Sequence, residues 1–153
     1  MSAERVVDDI KYLVMTYGIK GVYFREDNFT LIRHRIVDIS IGIMPLKIHW
    51  ACETRVDTIS YEELKIMHAS GCRALYIGFE SGSQRILNLL NKGITPEQGL
   101  KVAEWCHELG IAIAGSFITD HPEETVYDKK LTDDFIKVLG LANCWKNKYR
   151  EGG

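Results

Sequence analysis

Four apolar runs constrain what this chain can fold into more than any other feature. They are "IKGVYF" (residues 19–24), "KIHWACE" (47–53), "RALYIGF" (73–79) and "IAIAGSFI" (111–118), each separated from the next by a stretch of helical character. A strand that is apolar almost throughout has no face left for water, so it belongs in a parallel sheet covered by helices. Right-handed crossovers then leave two arrangements, an open doubly wound sheet or part of a barrel.

The helical stretches carry their own start and stop signals. Ser2 can cap a first helix with Glu4 in its first turn, and Val6, Ile10, Leu13, Val14 and Tyr17 on one face. Gly18 stops it. A second helix starts near Thr30, while "DISIGIMP" (38–45) alternates like a strand and leaves its end open. Ser60-Tyr61-Glu62-Glu63 is a capping box for a helix ending at Gly71. A short helix with Ile86, Leu87, Leu89 and Leu90 follows the third run. Thr95-Pro96-Glu97-Gln98 opens another that ends at Gly110, and a last helix covers roughly 124–139. "WKNKYREGG" is polar and expected to fray. The reading is therefore one core domain over residues 1–143 and a polar tail over 144–153.

Composition excludes several function classes. With 46% hydrophobic and 26% charged residues and a net charge of −2, this is an ordinary globular chain without the basic footprint of a nucleic-acid binder. No apolar run approaches the ~18 residues that cross a bilayer. "MSAERVVDDIKYL" is too charged for a signal peptide, so the expected location is cytoplasmic, with neither membrane nor nucleic acid as partner. Cys52, Cys72, Cys106 and Cys144 form no CxxC pair and give no zinc or iron–sulfur signature; they read as free thiols in or near the core.

Polar residues gather where the runs end. The four exits hold Glu26-Asp27-Asn28, Glu53-Thr54-Arg55 with Asp57, Glu80-Ser81-Gly82-Ser83, and Thr119-Asp120-His121. In parallel α/β folds this edge is where ligands bind. Carboxylates around Arg55 could engage an amine, ribose hydroxyls and a carboxylate. The Ser81-Gly82-Ser83 turn could present backbone N–H groups to an anion. His121 reads as a solvated turn residue.

The segments "VYFREDNFT", "WACETRVD", "GFESGSQRILNLLNKGIT" and "GSFITDHPEET", in that order and spacing, resemble the middle of a radical S-adenosylmethionine (SAM) enzyme core. The likeness is to the group that often carries a cobalamin-binding domain, such as the anaerobic magnesium-protoporphyrin ester cyclase-like proteins. It runs from about residue 2 to 143, and residues 78–95 are its most specific part. The resemblance implies an α/β fold: a partial parallel (β/α) barrel of the radical SAM type, about four strands present, the first and last missing. It implies SAM and a [4Fe-4S] cluster as cofactors, with cobalamin a further option in the full-length protein. Electron transfer from the cluster would cleave SAM to a 5′-deoxyadenosyl radical that abstracts hydrogen from a small-molecule substrate. The implied electron donor is a ferredoxin- or flavodoxin-type protein.

Carried over by position, the resemblance places Glu26 and Asp27 at the methionyl ammonium, where a carboxylate accepts charge-assisted hydrogen bonds. Arg55 would pair with the methionyl carboxylate. Glu80 and Ser81 would stand at the ribose and carboxylate, with Gly82 and Ser83 in the same turn. Gly115, Ser116 and Ile118 would flank the adenine. Two departures accompany the likeness. The family's CxxxCxxC cluster motif is absent from these residues and would lie just before Ser2, so the chain as written is expected to be inactive alone. "TDHPEET" stands where the family has "GLPGET", and Asp120 and Glu123 in place of glycines call for a different backbone path.

Two other readings stand beside this one. One is a divalent-metal-dependent (β/α) enzyme with Glu26, Asp27, Glu53, Glu80 and Asp120 as oxygen ligands for Mg²⁺ or Mn²⁺. The other is a non-catalytic remnant or interaction module that keeps part of the fold.

Overall fold

Ser2 accepts a hydrogen bond from the Arg5 backbone N–H and starts helix α1 (Ala3–Tyr17), which Gly18 ends at φ 63°. The computed structural model describes residues 1–150. Strand β1 (Gly21–Phe24), helix α2 (Arg33–Ile43), strand β2 (His49–Arg55) and helix α3 (Tyr61–Ala69) come next. They are followed by strand β3 (Cys72–Glu80), helices α4 (Gln84–Leu89) and α5 (Pro96–Leu109), strand β4 (Ala112–Thr119), helix α6 (Val126–Leu139) and strand β5 (Asn143–Lys148). The capping boxes at Ser60/Glu63 and Thr95/Gln98 both form, and a third forms at Thr125/Asp128.

The five strands of the described residues are all parallel and lie in the order β1-β2-β3-β4-β5. Because the order never reverses, right-handed crossovers put every helix on the same face, and the sheet curls into a half-barrel rather than a doubly wound layer. The helix-facing side chains make the core: Phe79, Phe117 and Phe135 meet at 5.8–6.3 Å, and Phe24, Phe29 and Trp50 at 4.3–6.2 Å. The concave face carries the alternate residues, among them Glu53, Arg55, Tyr76, Gly78, Glu80, Ala114 and Ser116. The register aligns Arg55, Gly78, Ser116 and Trp145 in one row across β2 to β5.

One expectation is corrected here. Among the described residues the sheet has five strands, not about four, because residues 143–148 of the segment read as the end of the core and a polar tail pair with β4 as β5. β5 lacks an apolar pattern because it is an edge strand: Trp145 packs against Tyr76 on the concave face, and Lys146 pairs with Asp133 on the helix side. Positions 151–153 of that tail lie outside the described residues. The end of the second helix, which the sequence left open, lies here: residues 38–45 continue α2 into a short 3-10 turn, Met44–Leu46. Ile36, Ile39 and Ile43 recur at helical spacing and are fully buried, whereas Ile41 is exposed.

Candidate functional site

Glu80 ends β3 in the left-handed region, φ 68°, beside a register shift that skips Phe79 in the pairing with β4. A side chain other than glycine's is strained there, and such strain persists only where the surroundings over-determine it. Here they do. The carboxylate lies over Gly78, where a Cβ would come within 2.9 Å of Glu80 Oε1 and 3.9 Å of Ser116 Oγ. Lys92, in the turn after α4, reaches the same carboxylate oxygen at 3.4 Å. Glu80, Gly78 and Ser116 therefore share the concave face at the carboxyl edge of the sheet.

The turn after Glu80 is committed elsewhere. Ser81 is fully buried and shares a hydrogen bond with Thr132 at 3.0 Å, while Ser83 donates to Asp128 Oδ1 at 2.6 Å. The Gly82 N–H donates to Thr132 Oγ1 and the Ser83 N–H to Ser81 Oγ. Those two donors are used internally, so the turn does not present the anion cradle expected of it. Asp128 is also held by Arg85 and Thr125, and the Arg85 guanidinium, helped by both hydroxyls against the opposing effect of burial, keeps its carboxyl well below the usual range.

The first two exits sit side by side. Glu26 is gripped by Arg35 in a two-pronged pair at 2.8 and 3.1 Å, with the guanidinium over the Phe29 ring. Asp27 is exposed and has no ion-pair partner among the described residues. Arg55 clasps Asp57 through Nε and Nη2, both at 2.9 Å, which raises its pKa further, and Nη1 has no hydrogen-bond partner among the described residues. Glu53 accepts from the Tyr23 hydroxyl at 3.0 Å; burial first, then this bond, pushes the phenol up to about 12. Behind these loops Thr30, Thr54, Thr58 and Asn28 form a hydrogen-bonded cluster. The sequence offered no signal for that cluster beyond a threonine at a helix-facing strand position.

At the fourth exit Asp120 takes φ 61°, with its N–H on Glu124 Oε2 at 2.8 Å and its carboxylate on Lys129 at 3.0 Å. The residue in place of a glycine thus adopts a backbone that glycine would, as aspartate tolerates better than most. The Lys129 bond lowers its pKa. His121 stacks on Tyr149 at 4.5 Å. Ser116 and Ile118 lie on the concave side of β4, but Gly115 faces the helices. A Cβ on Gly115 would stand 2.8 Å from Leu141 Cδ1 and 3.1 Å from Phe79 and Phe117, so its smallness serves the core and not an adenine on the other face.

These positions fit some of the implied groups and not others. No trio of His, Cys, Asp or Glu among the described residues could hold a metal ion. Four of the five carboxylates of the divalent-metal reading are separately occupied, Glu26 by Arg35, Glu53 by Tyr23, Glu80 by Lys92 and Asp120 by Lys129, which leaves only Asp27 without a partner among the described residues. The thiols do not fit an iron–sulfur cluster either. Cys52, Cys72 and Cys106 are buried and free, and burial drives each pKa up, to about 12 for Cys72 and Cys106. The residues do suit a ligand with an ammonium, a carboxylate and hydroxyls, with Asp27 and Glu80 to accept and the free edge of Arg55 to donate. No helix among the described residues is long and apolar enough to cross a membrane.

Known proteins resemble this chain in sequence and in fold. An uncharacterized methyltransferase of Pyrococcus horikoshii is 39% identical over 142 residues, covering 92% of this chain and 31% of that protein. The anaerobic magnesium-protoporphyrin IX monomethyl ester cyclase of Rubrivivax gelatinosus is 25% identical over 126 residues, 80% of this chain and 23% of the cyclase. The chain thus spans about a third or less of these relatives. The radical SAM methyltransferase TsrM of Kitasatospora setae, solved with cobalamin and a [4Fe-4S] cluster bound, superposes with a TM-score of 0.85 at 18% identity. That match covers 96% of this chain and 31% of TsrM. The radical SAM superfamily as a whole matches residues 1–136, and the chain belongs to that superfamily.

Proposed function

We propose that these residues supply the SAM-holding wall of a radical SAM enzyme of the cobalamin-associated group, acting on a small-molecule substrate. The observation that carries the reading is Glu80, held in the left-handed region with its carboxylate over Gly78 in the row of Arg55 and Ser116. SAM held by these residues would supply the adenosyl group for the radical chemistry of the complete enzyme. Glu80 accepts from ribose hydroxyls, and Lys92 pairs with the same carboxylate at 3.4 Å. Asp27 accepts from the ammonium, while Arg55 Nη1 donates to the carboxylate and Asp57 fixes the guanidinium plane. Ser116 and Ile118 shape the concave wall against which the adenosyl part rests. The cluster's thiolates, and the protein that delivers its electron, come from outside these residues. The methyltransferase likeness favours methyl transfer as the outcome.

SAM titration of the complete protein, with and without Glu80→Ala, tests this. The variant should bind SAM at least about tenfold more weakly, the scale of a lost hydrogen bond to a charged group. Equal affinity in both proteins, or none in either, would sink the reading and favour the non-catalytic remnant. Anaerobic iron and sulfide reconstitution then asks whether the complete protein builds the cluster.

A further inference from the structure

The loops after β1 and β2 are joined by a file of hydroxyls. Thr54 and Thr30 are hydrogen-bonded to each other, Thr30 to Thr58 at 2.8 Å, and Thr58 to Asn28 Oδ1 at 2.7 Å. Thr30 and Thr54 are almost entirely buried. Each hydroxyl has one proton to give. One assignment uses all three: Thr54 donates to Thr30, Thr30 to Thr58, and Thr58 to the Asn28 side-chain carbonyl. The file thus starts on β2 and ends on the residue next to Asp27.

The file lies against backbone at both exits. Asn28 is left-handed at φ 57°, and the next N–H, of Phe29, donates to the Glu53 carbonyl at 3.0 Å. Thr54 and Thr58 hydroxyls also lie 3.3 and 3.2 Å from the Arg55 carbonyl oxygen. Packing alone does not call for hydroxyls here, since valine has nearly the shape of threonine and no desolvation cost. A fully satisfied buried network instead rigidifies what it connects.

We propose that Thr58, with Thr30 and Thr54 behind it, is a positioning residue that fixes Asp27 relative to Arg55. The inference rests on the reading above, which gives these side chains the ammonium and carboxylate of one methionyl group. Those two groups sit on a single carbon of the ligand, so the protein groups that grip them must keep a set separation.

The test is to titrate the complete protein and its Thr58→Val and Thr58→Ser variants with two ligands. One is SAM; the other is 5′-methylthioadenosine, which keeps the adenosyl part and lacks the amino-acid head. Thr58→Val should weaken SAM roughly tenfold, the scale of one lost hydrogen bond, and leave 5′-methylthioadenosine within about twofold. Thr58→Ser should restore SAM binding. If Thr58→Val does not fold, Thr58→Ala removes the hydroxyl with less crowding at this half-buried position. Equal weakening of both ligands, or unchanged SAM affinity, would overturn the positioning role while leaving the SAM-binding reading intact. A wild-type protein that binds neither ligand would overturn both.

Discussion

Gly82 lies so close to α6 that a Cβ on it would stand 2.6 Å from the carbonyl oxygen of Leu131. The other nearest atoms are Phe135 Cβ at 2.6 Å and the Thr132 Cα at 2.9 Å. None is the far end of a flexible side chain, so nothing can swing away. Gly82→Ala must push α6 off the β3–α4 turn, and forced contacts of this kind cost about 1–3 kcal/mol. Urea unfolding should show a lower midpoint with an unchanged slope. An unaltered midpoint would mean that α6 is free to shift.

The same junction should make the fold acid-sensitive. Asp128 is buried, and Arg85, Ser83 and Thr125 hold its carboxyl well below the usual range. Because the folded pKa is depressed, its contribution is complete above the unfolded value of about 3.9 and is lost as pH falls below that. Asp128→Asn should be less stable than wild type at neutral pH. The gap should narrow as both are titrated from about pH 4 downward. Parallel pH profiles for the two proteins would contradict this account.

Much of the fold was legible because its signals are local. Capping boxes at Ser60 and Thr95, stops at Gly18 and Gly110, and near-continuous apolar runs each show within a few residues. β5 was not legible, since an edge strand with Asn143, Lys146 and Asn147 has no buried period to display. The site was legible as a place but not as a set of contacts. Ser83 finds Asp128 across 45 residues, and Thr30 finds Thr54 across 24, pairings that no spacing rule encodes. Glu26 and Asp27 look alike in sequence, yet only Glu26 lies within reach of Arg35.

Tyr23, hydrogen-bonded to Glu53 on the concave face, should ionise late. Burial and the 3.0 Å bond to Glu53 raise the phenol to about 12. A raised folded pKa means that this stabilisation is complete below the unfolded value of about 10 and fades as pH rises toward the folded value. Ultraviolet difference titration against Tyr23→Phe should isolate one late-ionising phenol. In Glu53→Ala its midpoint should fall part of the way toward the ordinary value, since burial remains. A midpoint already near the ordinary value in wild type would mean that Glu53 does not engage it.

The cysteines give the sharpest check on what these residues can and cannot hold. Cys52, Cys72 and Cys106 are buried, and Cys144 on the edge strand is only partly so. Thiolate is both the nucleophile and the iron ligand, and burial suppresses it. A disulfide reagent should therefore modify Cys144 first and reach the other three only as the protein opens, with all four reacting at once in denaturant. Anaerobic reconstitution of the 153 residues with iron and sulfide should leave them colourless. Cys144→Ser should remove the fast phase alone. A stable iron–sulfur chromophore on these residues would show that the thiols regroup, and that the cluster does not need ligands from elsewhere.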